Sequence, residues 1–253
     1  MIDTHSHLYA EEFEADRDVM LERARQAGIT RIYMPAIDSA THEGLMVLAD
    51  SYPDYCIPMM GLHPCYVDEN MAQELKLVEE WLEKKPFAAI GEVGLDFYHS
   101  TTFSDLQVEA FRRQIEMALS FELPLIIHSR SSMDECIKMI AIHGQGKVKG
   151  IFHCFGGDLR QANKILELGF LLGIGGVVTY KNAGLANIVE ALPLSALVLE
   201  TDAPYLSPVP FRGKRNETAY ITEVAKKIAA IKGVDLEVVV EITSANAKKI
   251  FRF

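Results

Sequence analysis

Five of the eight histidines in this 253-residue chain stand at the ends of short apolar runs, where they could act together on a metal. His5 and His7 follow Met1-Ile2, His63 sits in Gly61-Leu62-His63-Pro64, His128 follows Leu125-Ile126-Ile127, and His153 follows Ile151-Phe152. Two carboxylates occur at matching points: Glu92 in Gly91-Glu92-Val93-Gly94-Leu95-Asp96 and Asp202 in Glu200-Thr201-Asp202. Neutral imidazole nitrogen and carboxylate oxygen are ordinary ligands of divalent ions. His5 and His7 are two apart, so on a strand both rings would face one space. Any one of these residues alone reads better as a satisfied core histidine or a solvated carboxylate than as a ligand. Converging on one mouth, they would be costly without something to bind. Four nitrogens and two carboxylates can hold two divalent ions if one carboxylate bridges, with positions left for water. Of the other histidines, His42 and His143 fall on helices and His99 lies in a loop without an assigned role.

Positioning such residues requires a regular scaffold, and the chain alternates strand and helix signals throughout. Strands are expected over residues 1–7, 30–37, 55–61, 87–91, 125–127, 148–152, 170–174 and 196–199, from short apolar runs between turn signals. Helices are expected over 16–27, where Met20, Ala24 and Ala27 share a face and Gly28 ends the run, and over 40–51, 72–85, 133–142, 159–168, 185–191, 219–231 and 236–251. Ser104-Asp105-Leu106-Gln107 reads as a capping box, opening a helix with Val108, Phe111, Ile115 and Ala118 on one stripe that ends before Pro124. Eight apolar strands alternating with amphipathic helices over this length predict an α/β protein: a single (β/α)8 TIM-type barrel domain over 1–253 with an extra C-terminal helix. The runner-up, an open doubly wound sheet, would carry a Gly-rich loop after its first strand, where this chain has His5-Ser6-His7. In a barrel the candidate ligands all fall at the strand carboxyl ends, where active sites of that fold lie.

Composition narrows the function classes. A net charge of -10 and a pI near 5.3 argue against a surface that binds nucleic acid or anionic membrane by bulk electrostatics, so any phosphate contact must be local. Cys56, Cys65, Cys136 and Cys154 show no metal-ligand spacing and are too sparse for a disulfide framework; they read as free thiols in a reducing compartment. No secretory pattern opens the chain, and the longest uncharged run, 168–180, is too short and glycine-rich for a membrane span. The expectation is a cytoplasmic protein with no membrane association and no obligate protein partner. One local exception to the acidity is 203–216, with no acid and three bases, Arg212, Lys214 and Arg215. It reads either as an anion-binding edge or as a solvated, proline-held loop, and charge alone does not choose.

The blocks Asp3-Thr4-His5-Ser6-His7, Gly61-Leu62-His63-Pro64, Gly91-Glu92-Val93-Gly94-Leu95-Asp96, His128-Ser129-Arg130, His153-Cys154-Phe155, Glu200-Thr201-Asp202-Ala203-Pro204-Tyr205-Leu206 and Arg212-Gly213-Lys214-Arg215-Asn216 closely resemble, in order, those of the TatD family of metal-dependent deoxyribonucleases, within the amidohydrolase-like barrels. The resemblance implies that His5, His7 and Asp202 bind one metal and that Glu92 bridges to a second held by His128 and His153. It further implies that His63 sits near the scissile phosphate, with Arg212 and Lys214 as contacts to the nucleotide chain. The implied activity is hydrolysis of DNA phosphodiester bonds, releasing mononucleotides from single-stranded or frayed 3′ ends, in DNA repair and degradation. The implied cofactors are two divalent ions, Mg2+, Mn2+ or Zn2+. Glu92, Asp202 and His63 are the expected catalytic residues. Two positions depart from the pattern: Gly156-Gly157 replaces Ser-Gly, and Asn216-Glu217-Thr218 replaces Asn-Glu-Pro, which puts substrate preference in question. A small-molecule hydrolase acting on a phosphoester, lactone or amide is the alternative, because one ligand set serves many chemistries on this fold. A metal-binding protein without catalysis is the third reading.

Overall fold

The computed structural model describes residues 1–251; residues 252 and 253 of the expected 1–253 domain lie outside the described residues. Eight short strands, β1 (Ile2–Asp3), β2 (Arg31–Pro35), β3 (Cys56–Met59), β4 (Ile90–Asp96), β5 (Leu125–Arg130), β6 (Gly150–Phe152), β7 (Phe170–Ile174) and β8 (Leu197–Leu199), pair in parallel in chain order. Hydrogen-bonded ladders run β1-β2-β3 and β4 to β8, and single bridges, Met60 with Ile90 and Ser6 with Ala203, join the two arcs into a barrel. Parallel strands need a crossover. Helices α1 (Arg17–Gln26), α2 (Ser39–Ser51), α3 (Met71–Lys84), α4 (Ser104–Ser120), α5 (Met133–His143), α6 (Leu159–Glu167) and α7 (Leu185–Ala191) supply the crossovers, α8 (Ile221–Lys232) follows β8, and α9 (Leu236–Phe251) comes after it as the extra terminal helix.

The core has two layers because each strand is buried on both faces. Ile2, Tyr33, Met59, Ala89, Ile126, Ile151, Leu171 and Val198, one from each strand or the residue leading into it, pack with Ala247, Ile250 and Phe251 of α9. Phe251 stacks on Tyr33 with ring centroids 3.6 Å apart, so α9 closes one end of the barrel and leaves the functional residues to the other. A larger cluster, including Leu21, Leu45, Leu75, Phe111 and Phe152, fills the space between strands and helices.

Three local expectations are corrected. The first strand stops at Asp3 rather than running through His7, because beyond Asp3 the chain divides its bonds between the two neighbours: Thr4 N donates to Leu199 O at 3.0 Å, Asp202 N to His5 O at 2.9 Å and His7 N to Ala203 O at 2.7 Å, while Ser6 N donates to Tyr33 O of β2 at 3.0 Å. The fourth strand runs over Ile90–Asp96 instead of 87–91, with a register shift between Ile90 and Val93, so Glu92 lies inside the strand at a bulge. The capping box at Ser104 does not form: Phe103 is the N-cap and Ser104 begins the helix, while the Gln107 side chain is used elsewhere.

Candidate metal centre

Two strand ends at opposite limits of the sequence are locked together first. Buried Asp3 accepts from Thr201 Oγ1 at 2.6 Å, Thr201 N at 3.0 Å and His5 N at 3.3 Å, tying the segment bearing His5 and His7 to the one bearing Asp202. Burial pushes the Asp3 carboxyl up to about 7 against these bonds. Asp202 itself sits in the left-handed region at φ 57, which a short polar side chain tolerates better than most and which such sites commonly store.

Glu92, with its side chain 3% exposed, is the hub. Its Oε2 faces His5 Nε2 at 3.1 Å and His7 Nε2 at 3.6 Å, while its Oε1 faces His128 Nδ1 at 3.0 Å, His63 Nε2 at 3.5 Å and His153 Nε2 at 3.7 Å. Asp202 Oδ1 completes the cluster at 3.6 Å from His7 Nε2, 3.7 Å from His153 Nε2 and 3.8 Å from His5 Nε2. Burial alone would raise Glu92, but His5, His63, His153 and His128 hold its carboxyl well below the usual range. Burial, followed by the neighbouring His5, holds His7 neutral, and burial pushes Asp202 up to about 6.

The arrangement suits metal better than protons. His5 Nε2 and His7 Nε2 are 3.2 Å apart, and the buried His5 Nδ1 has no hydrogen-bond partner. Donors about 2.1 Å from a tetrahedral centre lie roughly 3.4 Å from one another, within the range of the separations around Glu92 and Asp202. His5, His7 and Glu92 converge closely enough to hold an ion, as do His5, His153 and Asp202, and Glu92 and His128 converge on the other side beside His63.

His63 has a different role in this geometry. Its Nδ1 accepts the Cys65 backbone N–H at 3.1 Å, so the neutral ring carries its proton on Nε2, the nitrogen aimed at the centre. Such a nitrogen donates to an anion and has no lone pair for a metal. Burial keeps the ring below its ordinary value and thus neutral.

Four supporting residues carry no role in the sequence reading. Asp96 Oδ2 lies 2.9 Å from His128 Nε2 and 2.9 Å from His99 Nδ1, giving the loop histidine a partner. Burial opposes a charge on His128, but Asp96 and Glu92 on either side lift the metal-free ring to about 9. Gln107 clamps Asp96 by accepting from its N at 2.9 Å and donating to its O at 3.1 Å; Gln114 does the same for Leu62, beside His63, at 2.7 and 3.1 Å. Glu200, fully buried and pushed up to about 7 by that burial, accepts from Cys154 N at 2.6 Å. Its Oε1 is 3.1 Å from His153 Nδ1, close but not aligned as a hydrogen bond. Gly173 makes room for it: a Cβ there would stand 2.1 Å from Glu200 Oε2. Outer carboxylates that set ring orientation are the usual complement of histidine ligands.

Above the centre opens a cavity of about 1270 Å³, lined by His7, His63, Tyr66, His128, Arg130, Asp202 and Tyr205 among others. Arg130 is the one Lys or Arg in that lining, and its guanidinium lies 4.1 Å over the Tyr98 ring. Arg212 and Lys214 are exposed outside it, Arg212 stacked 4.2 Å over Tyr180. Arg215 is committed to Asp16 at 2.6 and 2.8 Å, and Glu217 to Arg23, so the departing Asn216-Glu217-Thr218 block is a structural clasp.

Comparison with known proteins gives the family. The family model described as "TatD related DNase" matches residues 2–252. The chain is 37% identical over 253 residues, 100% of this chain and 99% of the other, to a Bacillus subtilis protein named "Uncharacterized metal-dependent hydrolase YabD". It is 31% identical over 258 residues, 100% and 99% of the two chains, to a Pectobacterium parmentieri protein named "3'-5' ssDNA/RNA exonuclease TatD". Among solved structures, the Escherichia coli TatD homologue YjjV superposes with a TM-score of 0.94 at 29% identity, covering 100% of this chain and 98% of that one.

Proposed function

From the premise that the chain belongs to the TatD-related DNase family and is a metal-dependent hydrolase, we propose that it is a deoxyribonuclease that releases mononucleotides from 3′ ends through a two-metal centre. The observation that carries this reading is Glu92, whose two carboxylate oxygens address two separate sets of imidazoles. His5, His7 and Asp202 would hold one ion, His128 and His153 the other, and Glu92 both. When bound, divalent ions here would supply Lewis acidity and lower the pKa of water toward neutrality.

The chain's own residues account for the rest. Asp202, pushed up to about 6 by burial, is a carboxylate near neutral pH, yet basic enough to orient the attacking water and take its proton. His63 Nε2–H donates to a phosphoryl oxygen as charge builds there, a dipole fixed by the bond from Cys65 N. Asp96, itself clamped by Gln107, and Glu200 hold the rings of His128 and His153 in place. Arg130 offers a fork for one further phosphate. An enzyme that holds only a strand end needs few such contacts, which reconciles the net charge of -10 with a polyanionic substrate. The relatives named as exonucleases of single-stranded DNA and RNA support the substrate class.

A small ester, lactone or amide is favoured by one feature, the single cationic side chain in the cavity lining. Digestion of 3′-labelled and 5′-labelled single strands of DNA and RNA with Mg2+, Mn2+, Zn2+ or EDTA, beside small esters and lactones, separates the readings. The proposal expects metal-dependent release of the 3′ label as mononucleotide, lost in EDTA and in Glu92→Ala. Hydrolysis confined to the small substrates would replace it.

A further inference from the structure

Aromatic rings whose faces open into a cavity offer platforms on which bases can stack. Tyr66, after β3, and Tyr205, after β8, are 50% and 49% exposed, and both line the cavity above the centre. The Tyr66 ring stands edge-on 5.9 Å from that of His63, and the Tyr205 ring 6.0 Å from that of His7. Each ring therefore flanks a histidine aimed at Glu92. Neither hydroxyl has a hydrogen-bond partner among the described residues, so nothing polar explains their outward placement. Arg130, held over the Tyr98 ring, has no carboxylate partner among the described residues.

Resting on the nuclease reading above, we propose that Tyr66 and Tyr205 form a stacking subsite for the bases of a single-stranded 3′ end, with Arg130 gripping one phosphate. The charge of the chain selects this solution. A protein with net charge -10 gains little from phosphate neutralisation, whereas a base stacking on an aromatic face contributes affinity that salt does not screen and sequence barely alters. Inside a duplex both faces of a base are covered by neighbouring pairs and a blunt end offers only the outer face of its last pair, so the subsite favours an unpaired end.

The test measures KM and kcat for mononucleotide release from a single-stranded oligonucleotide by the full-length metal-loaded enzyme. Tyr66→Ala and Tyr205→Ala are each expected to raise KM roughly 5- to 150-fold with kcat nearly unchanged. Tyr66→Phe and Tyr205→Phe, which keep the aromatic face, restore the wild-type KM. An oligonucleotide whose terminal nucleotides lack bases is expected to weaken the wild type similarly, with little further loss in the alanine variants. Arg130→Gln is expected to flatten the dependence of log KM on log salt by about 0.7, the share of one single-strand phosphate contact. Alanine variants that lose as much on base-less ends as on normal ends, or phenylalanine variants that fail to recover, would overturn the stacking subsite while leaving the nuclease reading intact. A wild type that releases no nucleotide with any ion overturns both.

Discussion

Gly173→Ala tests whether Glu200 holds the second half of the centre in place. A Cβ at position 173 would lie 2.1 Å from Glu200 Oε2 and 2.7 Å from its Cδ. Ordinary contact begins near 3.4 Å, so the carboxylate must recede by about 1.3 Å in a site where Glu200 is fully buried. A displacement of that size breaks the 2.6 Å bond from Cys154 N and the 3.1 Å approach to His153 Nδ1. Losing an outer-shell partner of a metal ligand typically lowers metal affinity about 10- to 100-fold. Breaking a buried hydrogen bond to a carboxylate costs about 1–3 kcal/mol of stability. The assay is competitive Mn2+ or Zn2+ titration of the metal-free protein, beside its urea unfolding curve. Because the clash acts through Glu200, adding Gly173→Ala to Glu200→Ala should change affinity little beyond Glu200→Ala alone. Unchanged metal affinity in Gly173→Ala, in a folded protein, would refute the positioning argument.

His63→Ala is expected to lower kcat roughly 10²- to 10³-fold while leaving metal affinity within about 2-fold, because its centre-facing nitrogen is a donor and not a ligand; equilibrium metal binding beside kinetics checks the split. Metal affinity should fall as pH drops below about 9, approaching one log unit per pH unit as His128 takes up a proton that the ion must displace, and more steeply below about 6 as Asp202 takes up another; calorimetry in buffers of different ionisation enthalpy counts those protons. Asp3, pushed up to about 7 from 3.8, binds its proton more tightly folded than unfolded, so its stabilising contribution is complete below about 4 and lost as pH rises through about 7. Metal-free wild type should therefore lose up to about 4 kcal/mol relative to Asp3→Asn between pH 4 and 8, read from urea unfolding; parallel pH profiles would contradict this.

How much of this was legible in the sequence depends on whether the signal was local. Imidazoles and carboxylates at strand ends announce themselves, which is why His5, His7, Glu92, His128, His153 and Asp202 could be picked out and are found together. The helix expected over 236–251 is observed as Leu236–Phe251, while its packing against Tyr33 depends on a contact across almost the whole chain. Glu92 was placed after its strand because the glycines around it look like an ending; pairing with β5 carries the strand on to Asp96. Gln107, which reads as part of a capping box, and Gln114 were invisible as positioning residues, since the helix that bears both does not by itself show which backbone each glutamine clamps. The role of Arg215 was equally hidden, its partner Asp16 being 199 residues away in sequence. The cationic side chain in the cavity lining is Arg130, a single charge at a strand end, whereas local charge density drew attention to Arg212 and Lys214.

The central claim is that Glu92 joins two ions between the His5-His7-Asp202 and His128-His153 sets. Crystals of the Mn2+-loaded protein, measured at the manganese absorption edge, test it most directly. The account predicts two anomalous peaks, one beside each Glu92 oxygen, and loss of at least one in Glu92→Ala; a single peak in the wild type at saturating metal, or two peaks undisturbed in the variant, would contradict it.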